Sequence, residues 1–210
     1  SMLDWYDATG ELPIWPLSSG ETKCMIGYHS ASILADAYLK GIWPAAGDAT
    51  SAKRALNAMV RSSNINEKGS DYYIRDGYIP ADRKRESVSC LLEYTYDDWC
   101  ISAMAERMGE TAVAAKYRQR AMNYTSCFDG GTRFFRGRRS DGNWSEGFDP
   151  YEAGRDYTEA TAWQYRFGAL HDVRGMVSLY GGKEHFRQAL DSLFSFETEQ
   201  RADLQDITGV

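Results

Sequence analysis

The sequence predicts an all-α chain forming about half of an (α/α)6 barrel, or toroid, with a small β-hairpin inserted. Three observations point there. Apolar residues recur at three- and four-residue spacing over several long segments. An inner apolar segment is followed by a more polar one about three times, although no sequence repeat accompanies the pattern. The one strand-like signal is short, Arg133-Phe-Phe-Arg136 followed by Asp141-Gly142. The helix pairs fall at about 24–61, 86–124 and 158–196, and a twelve-helix toroid needs as many residues again. Residues 1–210 therefore read as one domain, a fragment of that larger barrel.

Composition narrows the function. With 210 residues, 43% of them hydrophobic and 26% charged, the chain can bury one sizeable core. A net charge of −6 disfavours a phosphate-binding surface, so nucleic acid is not an expected partner. No apolar run approaches the roughly 20 residues that cross a bilayer. Ser1-Met2 reads as a cloning remnant, so the start of the chain says nothing about compartment. Cys24, Cys90, Cys100 and Cys127 form no C-x-x-C pair and are expected to be buried free thiols. Six Trp and fourteen Tyr supply flat apolar surface, which suits both large cores and stacking on sugars.

Taken in order, residues 3–22 carry two prolines and Asp7-Ala-Thr-Gly10, and are expected to be a non-helical lead-in. From Cys24 to Ile42, Ile26, Ser30, Ile33, Leu34, Ala37 and Tyr38 line one helical face, with His29 beside it. Asp48 caps the next helix, which carries Ala52, Ala55, Leu56, Met59 and Val60. Residues 62–86, rich in turn formers, are expected to form a long loop. Glu86 to Met108 is the strongest helix, apolar around much of its circumference and ended by Gly109. Glu93, Asp97 and Asp98 lie on it, and carboxylates on a nearly buried helix are costly unless paired. They read as interhelical braces or as the lining of a polar pocket. Glu110 to Tyr124 is the polar outer partner. After the hairpin, whose arginines read mostly as a solvated surface, Asp172 caps one helix. The last runs from Glu184 to Phe196 and precedes a polar, irregular tail.

Between hairpin and final helices lies the stretch most suggestive of chemistry, Asp149 to Phe167. Asp156 and Glu159 sit among Tyr157, Trp163 and Tyr165 where a loop is expected to give way to a helix over 158–168. The combination offers an acid beside flat apolar surfaces. Asp156-Tyr-Thr-Glu159 also has capping-box spacing, which makes the same two carboxylates a plain helix start.

Several strings together resemble glycoside hydrolase family 92 over Leu12 to Gly182. They are Cys24-Met-Ile-Gly-Tyr-His29, Gly77-Tyr-Ile-Pro80, Ser87-Val-Ser, Leu92-Glu-Tyr-Thr-Tyr-Asp-Asp-Trp-Cys100, Phe135-Arg-Gly137, Asp156-Tyr-Thr-Glu-Ala-Thr-Ala-Trp-Gln-Tyr165 and His171-Asp-Val173. The resemblance implies a calcium-dependent, exo-acting α-mannosidase, commonly α-1,2, of bacteria that degrade host or yeast glycans, periplasmic, secreted or at the cell surface. It implies an N-terminal β-sandwich ahead of the (α/α)6 barrel. Glu159 is then the general acid of an inverting mechanism, with a second carboxylate roughly 6.5–9.5 Å away activating water. His29, Asp97, Asp98, Trp99, Tyr157 and Trp163 are candidate substrate contacts. The Gly-Asn-Glu-Pro-x-His-His and Gly-Asp-Asp-Asp-x-Gly strings tied to calcium and base are absent from these residues, as is Trp-Asp-Thr-Phe-Arg. No metal ligand is therefore assigned here, and the 210 residues alone are expected to be nearly inactive. Cut barrel faces are expected to favour self-association. The competing reading is a non-catalytic binding module that uses Trp99, Trp144 and Trp163 as stacking platforms.

Overall fold

The computed structural model describes residues 1–18 and 20–195, and over that range the protein is mostly helical. The polar tail and Phe196 lie outside the described residues. The chain divides into two compact units, residues 1–79 with 90–124, and residues 80–89 with 125 onward.

The first unit opens with a helix where a non-helical lead-in was expected. Helix α1 spans Met2–Thr9 because Ser1 and Asp4 form a capping box and Gly10, at φ 84°, closes its C-terminus. Pro13 and Pro16 follow it, and Pro16–Leu17 (β1) pairs with Gly20–Glu21 (β2). Glu21 holds that hairpin by accepting the Ile14, Trp15 and Lys23 N–H groups at 2.7–3.0 Å.

Helix α2 is Ser30–Leu39, shorter than the expected 24–42. Gly27 at φ 78° and Lys23 at φ 53° break the helical path before it. Ile26 is nonetheless buried, and a buried loop residue in phase with the helix behind it imitates a longer helix. Helix α3, Ala49–Ser62, starts where expected, with Asp48 accepting the Ser51 N–H at 3.0 Å. Helices α1 and α2 both pack on α3.

The expected long loop of residues 62–86 contains a further helix, α4, Ser70–Asp76, bounded by Gly69 and Gly77. Its Tyr73 is fully buried, which explains why so short a helix is retained. Helix α5, Ser87–Arg107, buries residues all around its circumference, including Leu91, Leu92, Ile101 and Met104. Helix α6 is Thr111–Ala121, and its expected last turn continues as a 3₁₀ segment, Met122–Cys127.

In the second unit, Phe128–Asp129 (β3) pairs antiparallel with Phe134–Phe135 (β4), and Arg138 bridges Trp144. Arg136 in that region is a brace and not a solvated residue. It donates to Asp129 Oδ2 at 3.0 Å and to the Ser145 carbonyl at 2.6 Å, and covers the Phe148 ring at 5.0 Å. The helix expected over 158–168 shrinks to α7, Ala162–Tyr165. Its cap is Thr161, whose N–H is accepted by Gln164 Oε1 at 2.7 Å, and not Asp156 with Glu159. Helix α8, Val173–Leu179, is capped by Asp172 as expected, and α9 spans Lys183–Phe194, packed on α8. Phe128, Phe135, Phe167, Tyr180 and Phe186 form a ring cluster in this unit, with Phe128, Phe135 and Tyr180 buried.

Candidate functional site

Glu159 lies two residues before the α7 cap, on a loop whose neighbours are buried while it is exposed. Its φ of 49° is left-handed, which is incompatible with the helical position that capping-box spacing had offered. The loop is bolted to the first turn of α5. The Asp156 carbonyl accepts the Val88 and Ser89 N–H groups at 3.0 and 3.3 Å, and the Arg155 carbonyl accepts that of Glu86 at 2.7 Å. Those are donors that a helix N-terminus leaves without intrahelical partners. In the other direction, Ser89 Oγ accepts the Thr158 N–H at 2.9 Å. Gly154 closes the loop on itself, donating to the Ala160 carbonyl at 3.1 Å while its own carbonyl accepts the Tyr157 N–H at 2.9 Å.

The Asp156 carboxylate is taken up inside this seat. Ser87 Oγ donates to it at 3.2 Å, and burial raises its pKa against the pull of Arg155. Gly137 runs so close that a Cβ there would collide with Asp156 Oδ2 and sit 2.9 Å from Ser145 Oγ. A glycine is therefore required by close approach, with no call on unusual backbone angles. Tyr157 is buried beneath, donating its hydroxyl to the Phe135 carbonyl at 2.7 Å. Trp163 packs edge-on against Phe134 at 5.1 Å, and the Arg166 guanidinium covers its ring at 4.6 Å. Tyr157 is buried, Trp163 is half-buried, and Glu159 itself is exposed.

His29 and Asp97 come together in the first unit. The His29 ring lies over Gly27, where a Cβ would come within 2.5 Å of the imidazole. Asp97, fully buried, accepts the Tyr28 N–H at 2.7 Å through one oxygen and pairs with His29 Nδ1 at 3.0 Å through the other. Glu93 stands 3.6 Å from Nε2, and the imidazole remains 43% exposed. Burial opposes the imidazolium, yet the hydrogen bond and charge of Asp97, with Glu93 behind, raise the His29 pKa. Burial likewise raises Asp97 and Glu93.

Asp98, one residue along α5, has a different fate. It is fully buried and accepts hydrogen bonds from Tyr28 Oη at 2.6 Å, Tyr73 Oη at 2.7 Å and Arg120 Nε at 2.6 Å. Arg120 is itself sandwiched, 5.1 Å over Tyr73 and 4.9 Å over Tyr117. Burial pushes Asp98 up to about 6 although Arg120 and both phenols favour its charge. Among the described residues, Asp98 has no exposed surface. Trp99 is 40% exposed and stacked on Tyr96 at 6.3 Å. Among the described residues, no three His, Cys, Asp or Glu side chains converge on a point that could hold a metal.

Ser87, Ser89 and Gly137 hold the seat of Glu159, and single-residue reasoning missed all three. The two serines meet partners 69 residues away and Gly137 meets Asp156 across the intervening loop, which local spacing does not reveal.

The model of the glycosyl hydrolase family 92 catalytic domain matches residues 1–209. A family GH92 alpha-mannosidase of Bacteroides thetaiotaomicron is similar in structure, with a TM-score of 0.86 and 39% identity over 95% of this chain and 26% of its own. A family GH92 inverting mannosidase from the same organism is similar as well, with a TM-score of 0.82 and 32% identity over 98% of this chain and 28% of its own. Among curated proteins, an uncharacterized secreted glycosidase of Arthroderma benhamiae is 25% identical over 91% of this chain and 29% of its length. The chain thus spans under a third of each relative's length, and it belongs to glycosyl hydrolase family 92.

Proposed function

We propose that these residues belong to an α-mannosidase that removes terminal α-linked mannose, α-1,2-linked first, with inversion, and that Glu159 is its general acid. The carrying observation is the seat of Glu159, an exposed carboxylate held in a left-handed conformation by a buried frame, within a chain of this family. Such a frame limits where the carboxyl can point, and a general acid works only within hydrogen-bond reach of the leaving oxygen. The helices are read as part of an (α/α)6 barrel. The remainder of that barrel and a β-sandwich supply the base and the calcium ligands, because the strings tied to them do not occur in residues 1–210. Calcium, when bound, would supply charge and positioning for the mannoside. His29, half exposed and oriented by Asp97, is read as a substrate contact. The parent protein works outside the cytoplasm, in keeping with the secreted relative.

The test is to incubate the longest reading frame containing these residues with α-1,2-linked mannobiose and follow the first minutes by proton NMR. Mannose released initially as the β-anomer, with loss of release on chelation, is the expected result. Initial α-anomer, no release, or release indifferent to chelator would contradict the corresponding part of the proposal.

A further inference from the structure

We propose that Ser89 is a positioning residue for Glu159, acting through the peptide that precedes it; this rests on Glu159 being the general acid. A residue with a Cβ adopts the left-handed region only where its surroundings over-determine it. At Glu159 the following residue is fixed by main chain alone, through the bond from the Gly154 N–H to the Ala160 carbonyl. The preceding residue is fixed by a side chain, because the Thr158 N–H ends on Ser89 Oγ at 2.9 Å. Thr158 has no second polar tie through its side chain, since its buried hydroxyl makes no hydrogen bond. Ser89 is fully buried, and its own N–H clasps the Asp156 carbonyl, so its hydroxyl comes from a rigid helix turn that already grips the same loop. The Ser89 oxygen is thus a side-chain hydrogen bond through which α5 orients the Thr158–Glu159 peptide. Without it the loop stays anchored at Asp156 while Glu159 is free to rotate away from the leaving oxygen.

The experiment compares S89A, S89C and S89T in the longest reading frame, on α-1,2-mannobiose and on α-mannosyl fluoride, whose leaving group needs little protonation. S89A is expected to lower kcat on mannobiose by about 10- to 100-fold, the scale of a small misplacement of a catalytic group. KM and turnover of the fluoride should stay within about twofold, with S89C intermediate and S89T closest to wild type. Equal losses on both substrates in S89A and S89C, in step with a lowered melting temperature, would overturn the proposal in favour of a merely structural serine. Undiminished mannobiose turnover in S89A would overturn it as well. E159Q assayed alongside keeps the two claims apart, because full mannobiose turnover in that variant refutes the acid assignment itself.

Discussion

Asp97 and Asp98 are adjacent in sequence and do opposite things. Asp98 is spent on Arg120 and two phenols, while Asp97 orients a half-exposed histidine. Their cost on a buried helix was legible from sequence; which one keeps an open partner was not, since it depends on chain segments that α5 meets only after folding. Removing the charge of Asp98 leaves a buried guanidinium unpaired. Asp98→Asn should therefore cost about 3–5 kcal/mol, read as a lower urea midpoint with an unchanged slope. For His29 the raised pKa sets the sign of a pH dependence. A group whose pKa is higher folded than unfolded contributes fully below its unfolded value, about 6.5 for histidine, and loses that contribution as pH rises through the folded value. Wild type should thus lose stability between mildly acidic and mildly alkaline pH by more than His29→Gln does, in urea titrations at each pH. A flat difference between the two would remove the ion pairing with Asp97 and Glu93 from the account.

At the level of elements, long periodic segments were read well, and errors fell where local chemistry competes with periodicity. Helices α3, α5 and α8 start at or within a residue of where their signals placed them. Residues 24–29 imitated helix because Ile26 is buried in phase with α2, although Gly27 lets the chain turn and admits the His29 ring. The short helices were missed for different reasons, α1 because it depends on its capping box and α4 because it is held by the burial of Tyr73, too short a signal for periodicity. The loop before α7 was misread as a helix start, since capping-box spacing is silent about whether the third residue can be helical. That loop yields a prediction of its own. Gly137→Ala forces a methyl group into the Asp156 carboxyl, an overpacking that costs about 1–3 kcal/mol. The melting temperature should fall, and mannobiose turnover should fall further than the melting temperature alone explains, because Asp156 carries the loop that presents Glu159.

For the whole molecule, large apolar side chains remain on both units, among them Ile42 at 73% exposure and Phe194 at 86%. Relatives more than three times as long match this chain over most of its length. The isolated 210 residues should sediment as oligomers whose population rises with concentration, whereas a monomer at every concentration would contradict the expectation of self-association. Family and helical class were legible in the sequence because strings such as Glu93-Tyr-Thr-Tyr-Asp-Asp-Trp-Cys100 are specific. The seat of Glu159 was not, since it consists of contacts between distant segments.

The most direct test of Glu159 as the acid is mannose release from α-1,2-mannobiose by the longest reading frame, wild type against Glu159→Gln, with substrate binding measured by calorimetry. The account predicts turnover reduced by about 10²- to 10⁴-fold with binding retained. Unchanged turnover would contradict it and return Glu159 to an exposed loop residue.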